Sequence, residues 1–236
     1  MSAKELWPGG PLYEGEGVQT DALALADFAG AARASQAADF GCGCGILMLL
    51  LLDKYPRLRM DGVEIRPGAA ARAEENCRIN GYAERCRIFT ADFRQAPLEK
   101  NAYELLLSNP PYFVPGHGLV SPDADRAAMR QESASVEELC ASAAQHLRFG
   151  GRFCVVYRPE RLYELMCAMD KAGLMPKRLR CVQGRGESAP CLVLLEGRKG
   201  GRPGLTIEPP LILNDTANCP SAEWQRITHW GEGEKT

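Results

Sequence analysis

No stretch of this 236-residue chain is long and apolar enough to cross a bilayer as a helix. The longest apolar run, from Ile46 to Leu52, is closed off by Gly45 and Asp53 and falls far short of the ~20 residues a spanning helix needs. The N-terminus lacks a basic region followed by an apolar stretch, so no secretory leader and no membrane association are expected. Histidine is scarce, at three residues, and no C-x-x-C pair or His/Cys cluster stands at metal-ligand spacing. Structural zinc, and a metal in general, are therefore not expected. The ten cysteines form no paired framework, and Cys42-Gly43-Cys44 is too tight for an easy local bridge. Free thiols in a cytoplasmic protein are the expectation. No strong net charge marks the chain either: the formal value is −2.

Hydrophobic residues at 45% and charged residues at 25% are ordinary globular usage, and the length suits one soluble domain with small additions. The near-neutral total hides an asymmetry. Residues 147–205 carry 12 Lys and Arg against 5 Asp and Glu, while the rest of the chain is acidic. The densest part, Lys177, Arg178, Arg180, Arg185, Arg198, Lys199 and Arg202, fits a nucleic-acid footprint and fits charges guarding a sheet edge equally well.

Along the chain, strands and helices alternate. Residues 1–19 are Gly-rich and read as irregular, and Thr20 or Asp21 is placed to cap a helix through Phe28. Strands are read at 37–40, 58–65, 85–90, 103–108 and 153–157. Helices are read at 45–55, 67–80, from Ser133 or Ser135 to 147, and 159–172. Closing strands at 176–183 and 191–196 are joined by Gly184-Arg185-Gly186. This order predicts an α/β fold: a doubly wound, mostly parallel, seven-stranded sheet with an antiparallel closing hairpin. The expected organisation is an N-terminal segment and helix (1–35), the main domain (36–197) and a C-terminal extension (198–236) that either packs on the sheet edge or trails.

Ligands of such sheets bind beyond the carboxyl ends of the strands. Asp39-Phe40-Gly41-Cys42-Gly43-Cys44-Gly45 follows the first strand, and its glycines let backbone approach a ligand and turn into a helix. The spacing is G-x-G-x-G rather than G-x-G-x-x-G, which leans toward a nucleoside and away from a pyrophosphate. Glu64 ends the second strand, about twenty residues on, where an acid can grip ribose hydroxyls. Asp92 ends the third and can accept from an adenine amino group while Phe93 packs on the ring; a turn or helix cap is the alternative. Asn109-Pro110-Pro111-Tyr112 ends the fourth. The Asn109 side-chain oxygen and the Pro110 carbonyl can each accept one hydrogen of a planar NH2 group, concentrating its delocalised lone pair as charge develops. The two prolines fix that carbonyl, and Tyr112 offers a face for an extruded base. A Pro-Pro turn with Tyr112 as packing is the plain reading of the tetrapeptide alone. The coincidence at four successive strand ends is what gives it weight.

These residues resemble the motifs of class I S-adenosylmethionine-dependent methyltransferases, over roughly residues 18–196. Asp39 to Gly45 is similar to their first motif, Glu64 to their ribose acid, Asp92 to their adenine contact, and Asn109 to Tyr112 to the NPPY signature of N-methyltransferases. Within that superfamily the chain resembles the bacterial methyltransferase small domain proteins, whose members include tRNA adenine N6-methyltransferases. Val18-Gln19-Thr20-Asp21 is similar to their V-x-T-D segment, the polar stretch 114–132 to their long loop, and Glu196 to Leu205 with Pro209-Pro210-Leu211 to the tail of some members. Cys44 stands where a small hydroxyl or Ala is usual.

The resemblance implies a Rossmann-like sheet and S-adenosylmethionine as cofactor, held by Thr20, Asp39, Gly41, Cys42, Gly43, Gly45, Glu64, Ile65, Asp92, Phe93 and Asn109. It implies catalysis by Asn109, Pro110, Pro111 and Tyr112 on an RNA substrate, foremost a tRNA, contacted by Tyr112, Phe113, Arg126 and Arg130. It implies neither a metal nor a strong general base, so His117 and His146 receive no catalytic role. The 114–132 loop is expected to close over a flipped base. Guanine N2 of ribosomal RNA, a glutamine side-chain amide, and a non-catalytic cofactor-binding role remain as alternatives.

Overall fold

The computed structural model describes residues 3–7, 9–15, 19–110 and 135–228. Five parallel strands form the middle of one sheet: β3 (Gln36–Phe40), β4 (Arg59–Glu64), β5 (Cys86–Thr90), β6 (Tyr103–Ser108) and β7 (Leu147–Tyr157). The hairpin of β8 (Leu174–Gln183) and β9 (Pro190–Lys199) closes it, with β9 antiparallel to both β7 and β8. The order β5-β4-β3-β6-β7-β9-β8 places the winding reversal between β3 and β6.

The helices bury the two faces. On one side lie α1 (Thr20–Ala29), α2 (Ile46–Lys54) and α3 (Pro67–Ile79); on the other lie α4 (Val136–His146) and α5 (Leu162–Lys171), and each set packs into its own core cluster. In α2, Leu47 to Leu52 are all buried, as an all-round apolar helix must be. Proline opens α3 and Gly81, at φ 73°, follows its end. Ser135, and not Ser133, caps α4 through a capping box with Glu138. The helix read over 159–172 is a 3-10 turn, Pro159–Arg161, followed by α5.

Three expectations change. Residues 1–19 are not wholly irregular: β1 (Lys4–Glu5) and β2 (Leu12–Tyr13) pair antiparallel. Asn76 of α3 and Asn80 just past its end hold this hairpin, Asn80 accepting from the backbone N–H of Leu12 at 2.7 Å and Asn76 from that of Glu14 at 2.9 Å. Neither Thr20 nor Asp21 caps α1. Gln19 occupies the cap position without a side-chain bond, and the Asp21 carboxylate accepts instead from Ala22 N at 2.8 Å. Among the described residues the sheet has nine strands rather than the expected seven, because β10 (Thr206–Ile207) and β11 (Leu211–Ile212) each pair parallel with β8.

The C-terminal extension thus packs on the sheet edge. Leu211 and Ile227 of α6 (Ala222–Thr228) bury into the same core as α1 and α2. Ion pairs tie it down: Arg178 Nε to Glu208 at 2.6 Å and Arg180 to Glu223 at 2.8 Å. Arg178 and Arg152 also converge on buried Glu196, at 2.8 and 3.2 Å, and donate to carbonyls of the α1 C-terminus. Much of the basic block is therefore internal bracing.

Gly62, in the middle of β4, lets the site approach the sheet. A Cβ there would stand 2.7 Å from Met48 Sδ, 2.8 Å from Cys42 Sγ and 2.9 Å from Ile88 Cδ1. Gly62→Ala should lower stability by ~1–3 kcal/mol through overpacking, read as a lower urea midpoint. An unchanged midpoint would show that these neighbours give way freely.

Candidate active site

The glycine turn after β3 stays bonded to β4: Gly41 N and Cys42 N both donate to Val63 O, at 2.8 and 3.1 Å. Gly41 (φ 75°), Gly43 (φ 55°) and Gly45 (φ 85°) all adopt left-handed backbone. A Cβ at Gly41 or Gly43 would meet nothing within 4 Å, so those two residues border open space, whereas Gly45 packs on Ala73. Glycine is required at the first two by their turn, and the space they border is room for a ligand.

Two carboxylates sit beneath this turn. Glu64 is buried; its Oε2 accepts from Gly43 N at 2.8 Å, and its Oε1 accepts from Arg66 N and Nε, both at 3.0 Å. Asp39 is 1% exposed and neither of its oxygens has a hydrogen-bond partner among the described residues. Burial, and then the neighbouring Glu64, push its carboxyl up to about 8. A buried carboxyl without partners costs stability and suits a positively charged guest.

Asp92 follows β5 and caps the 3-10 turn Phe93–Gln95, accepting from Arg94 N at 2.9 Å. The Arg94 guanidinium grips the same carboxylate and reaches Glu138 of α4 at 3.1 Å. This side chain holds Asp92 below the usual carboxylate range. Phe93 stacks on Phe40, with ring centroids 5.3 Å apart. Ile65 is 44% exposed beside Glu64.

Asn109 and Pro110 continue β6. The register pairs Phe40 with Ser108, and Ser108 Oγ donates to Phe40 O at 2.8 Å, so Gly41 and Asn109 leave the sheet side by side. Thr20 is the first residue of α1. Val18, Pro111, Tyr112, Phe113, His117, Arg126, Arg130 and the 114–132 loop lie outside the described residues. Sequence reasoning missed Arg66, Arg94 and Glu138, whose partners are visible only once strand ends and α4 come together. It also placed His146 merely at a helix end. That ring is buried edge-on to Phe40 at 6.0 Å, and burial lowers its pKa.

The arrangement offers hydroxyl- and amino-accepting carboxylates, an aromatic pair and an open glycine turn at the ends of β3, β4 and β5, with Asn109 next to that turn. The unpartnered Asp39 and the space at Gly41 and Gly43 fit a cationic nucleoside cofactor. Among the described residues, no group of three or more His, Cys, Asp or Glu is placed to hold a metal ion.

Residues 18–172 match the family model of the methyltransferase small domain. The chain is 34% identical over 212 residues to the tRNA1(Val) (adenine(37)-N6)-methyltransferase of Tolumonas auensis, covering 88% of this chain and 86% of that protein. It is 33% identical over 142 residues to the protein of the same name from Yersinia pestis, spanning 56% of that relative. Among solved structures it is similar to a predicted O-methyltransferase of Agrobacterium tumefaciens, at TM-score 0.73 and 19% identity over 89% of this chain and 96% of that one. It is also similar to a geranyl diphosphate methyltransferase in complex with S-adenosylmethionine, at TM-score 0.57 and 16% identity over 75% of this chain and 85% of that one. Both structural likenesses show the fold.

Asp39 makes stability depend on pH. Its folded pKa lies above the unfolded value, so between about pH 4 and 8 the folded protein holds a proton that the unfolded chain releases. Its stabilising effect is complete at the acid end of that window and is lost as pH rises through about 8. Asp39→Asn removes the ionisable group. Its advantage over the ligand-free wild type in thermal unfolding should be larger at about pH 9 than at about pH 5, by on the order of a few kcal/mol. A difference that does not vary with pH would mean the carboxyl is not held protonated.

Proposed function

The chain belongs to the methyltransferase small domain family, and we propose that it transfers a methyl group from S-adenosylmethionine to the exocyclic N6 of an adenine in the anticodon loop of a tRNA. The observation that carries this reading is the meeting, at the reversal between β3 and β6, of an open glycine turn over two buried carboxylates with Asn109-Pro110. The adenine substrate rests on the relatives' activity and on the NPPY chemistry.

When bound, the cofactor supplies an electrophilic sulfonium methyl. Glu64 has lone pairs left beyond its three N–H bonds, and these accept ribose hydroxyls. Asp92, kept ionised by Arg94, accepts from the cofactor's adenine amino group, with Phe93 and Ile65 packing the ring. Asp39, protonated in the ligand-free protein, would give up that proton to a cation and then place negative charge under the cationic end. Backbone at Gly41, Cys42, Gly43 and Gly45 and the start of α1 at Thr20 complete the cradle.

On the substrate side, the Asn109 oxygen and the Pro110 carbonyl accept the two hydrogens of the target NH2 and hold its lone pair in line with the methyl. Pro111 stiffens that carbonyl, Tyr112 and Phe113 stack the base, and Arg126 and Arg130 take phosphates. The quaternised nitrogen is acidic enough to lose its proton to solvent, so no residue has to serve as a strong base.

Asn109→Ala should cut turnover ~10²- to 10³-fold while S-adenosylmethionine affinity by calorimetry stays nearly unchanged. Wild-type turnover in that variant contradicts the mechanism. Glu64→Ala should weaken cofactor binding about tenfold, since hydroxyls lose their acceptor and Gly43 its anchor. Unchanged cofactor affinity would make Glu64 a bystander.

A further inference from the structure

We propose that the end of the sheet opposite the glycine turn is a second RNA-binding surface, where Phe149 stacks an unpaired base and Lys100, Arg198, Lys199 and Arg202 hold the flanking phosphates. The proposal rests on the reading of RNA as substrate, but it concerns residues that take no part in cofactor binding or methyl transfer.

Phe149 is 80% exposed, although it lies near the start of a central strand. Its ring lies against the turn at Gly200: a Cβ there would come 2.1 Å from Phe149 Cε2, and Gly200 has φ 66°. Glycine thus serves as a flat floor for one part of the ring and leaves the rest open to solvent.

Cations share that end of the sheet. Lys199 Nζ donates to Leu147 O at 2.8 Å and to Asn101 Oδ1 at 2.7 Å, which draws Lys100 to the same end. Gly201 packs on Arg198, and Lys177 Nζ of β8 donates to Arg202 O at 3.2 Å, which ties the segment after the turn to the neighbouring strand. Among the described residues, Lys100, Arg198, Lys199 and Arg202 pair with no carboxylate; Arg148 does, reaching Glu104 at 3.1 Å. Unpaired charge of one sign at the same end as an exposed aromatic face is the pattern of a stacking platform with phosphate contacts. An apolar protein partner would instead call for apolar neighbours beside Phe149, and its chain neighbours are Arg148 and Gly150.

Phe149 lies against Gly200, seven residues beyond Val193, the β9 partner of Tyr157, so the two ends of the sheet are roughly 23 Å apart. An RNA seated with its target base at Asn109 must extend at least that far to touch both ends, which a mononucleotide or dinucleotide does not.

The test measures full-length tRNA binding and turnover by the whole protein. Phe149→Ala should weaken tRNA binding about 5- to 100-fold and leave the salt slope of binding unchanged. The double variant Arg198→Ala, Arg202→Ala should lower that slope by roughly one to two. In both, turnover at saturating tRNA and S-adenosylmethionine affinity should match wild type. Wild-type tRNA affinity and salt slope in both variants overturns the proposal and leaves the surface to some other partner. Should the wild-type protein bind tRNA without methylating it, the functional reading fails alone, and these binding constants still decide the proposal.

Discussion

The parallel pairing of β3 with β6 is the contact on which the rest depends. It is where the winding reverses: α2, which follows β3, and α4, which follows β6, pack on opposite faces of the sheet. From that pairing run the glycine turn and Asn109, held level by the bond from Ser108 to Phe40 O. Apart from Thr20 at the start of α1 and Asn109 itself, the residues assigned to the cofactor arrive from β3, β4 and β5. Everything assigned to the target amino group arrives from β6. One register therefore sets the distance between donor and acceptor.

Buried charge is treated differently at the site and elsewhere. Asp61 is met by Arg87 at 2.6 Å and by the Tyr103 hydroxyl at 2.5 Å, and Glu196 by Arg152 and Arg178. These are closed networks that brace strands and anchor α1. Asp39, in the central strand, has no such partner. A fold that, among the described residues, pairs its other deeply buried carboxylates and leaves this one open carries an energetic cost at the place proposed for a cation. Arg94 works the opposite way, holding Asp92 ionised and linking it to the Glu138–Ser135 cap of α4.

Leu147 to Arg152 of β7, with two arginines and a Gly-Gly pair, does not read as strand, and β4 and β5 carry Arg59, Asp61 and Arg87, whereas β3 and β6 are legible as short, mostly apolar runs closed by Gly41 and by Asn109-Pro110. β6 was read to the residue for that reason, and the carboxyl-end positions of Asp39, Glu64, Asp92 and Asn109 followed. The extra strands were not legible. Thr206–Ile207 and Leu211–Ile212 are two residues each, and only their pairing with β8 and the ion pairs of Arg178 and Arg180 make them strands. The basic block was ambiguous for the same physical reason: Arg152 and Arg178 reach inward to Glu196 and Arg198 does not, and that difference is set by partners distant in sequence.

The most direct test of the account is transfer of labelled methyl from S-adenosylmethionine to tRNA, ribosomal RNA and release factor taken from cells lacking this gene, followed by mass analysis of the modified residue. The account predicts N6-methyladenosine in tRNA, within the anticodon loop. Label in guanine or in glutamine, or no label while cofactor is bound, would contradict it.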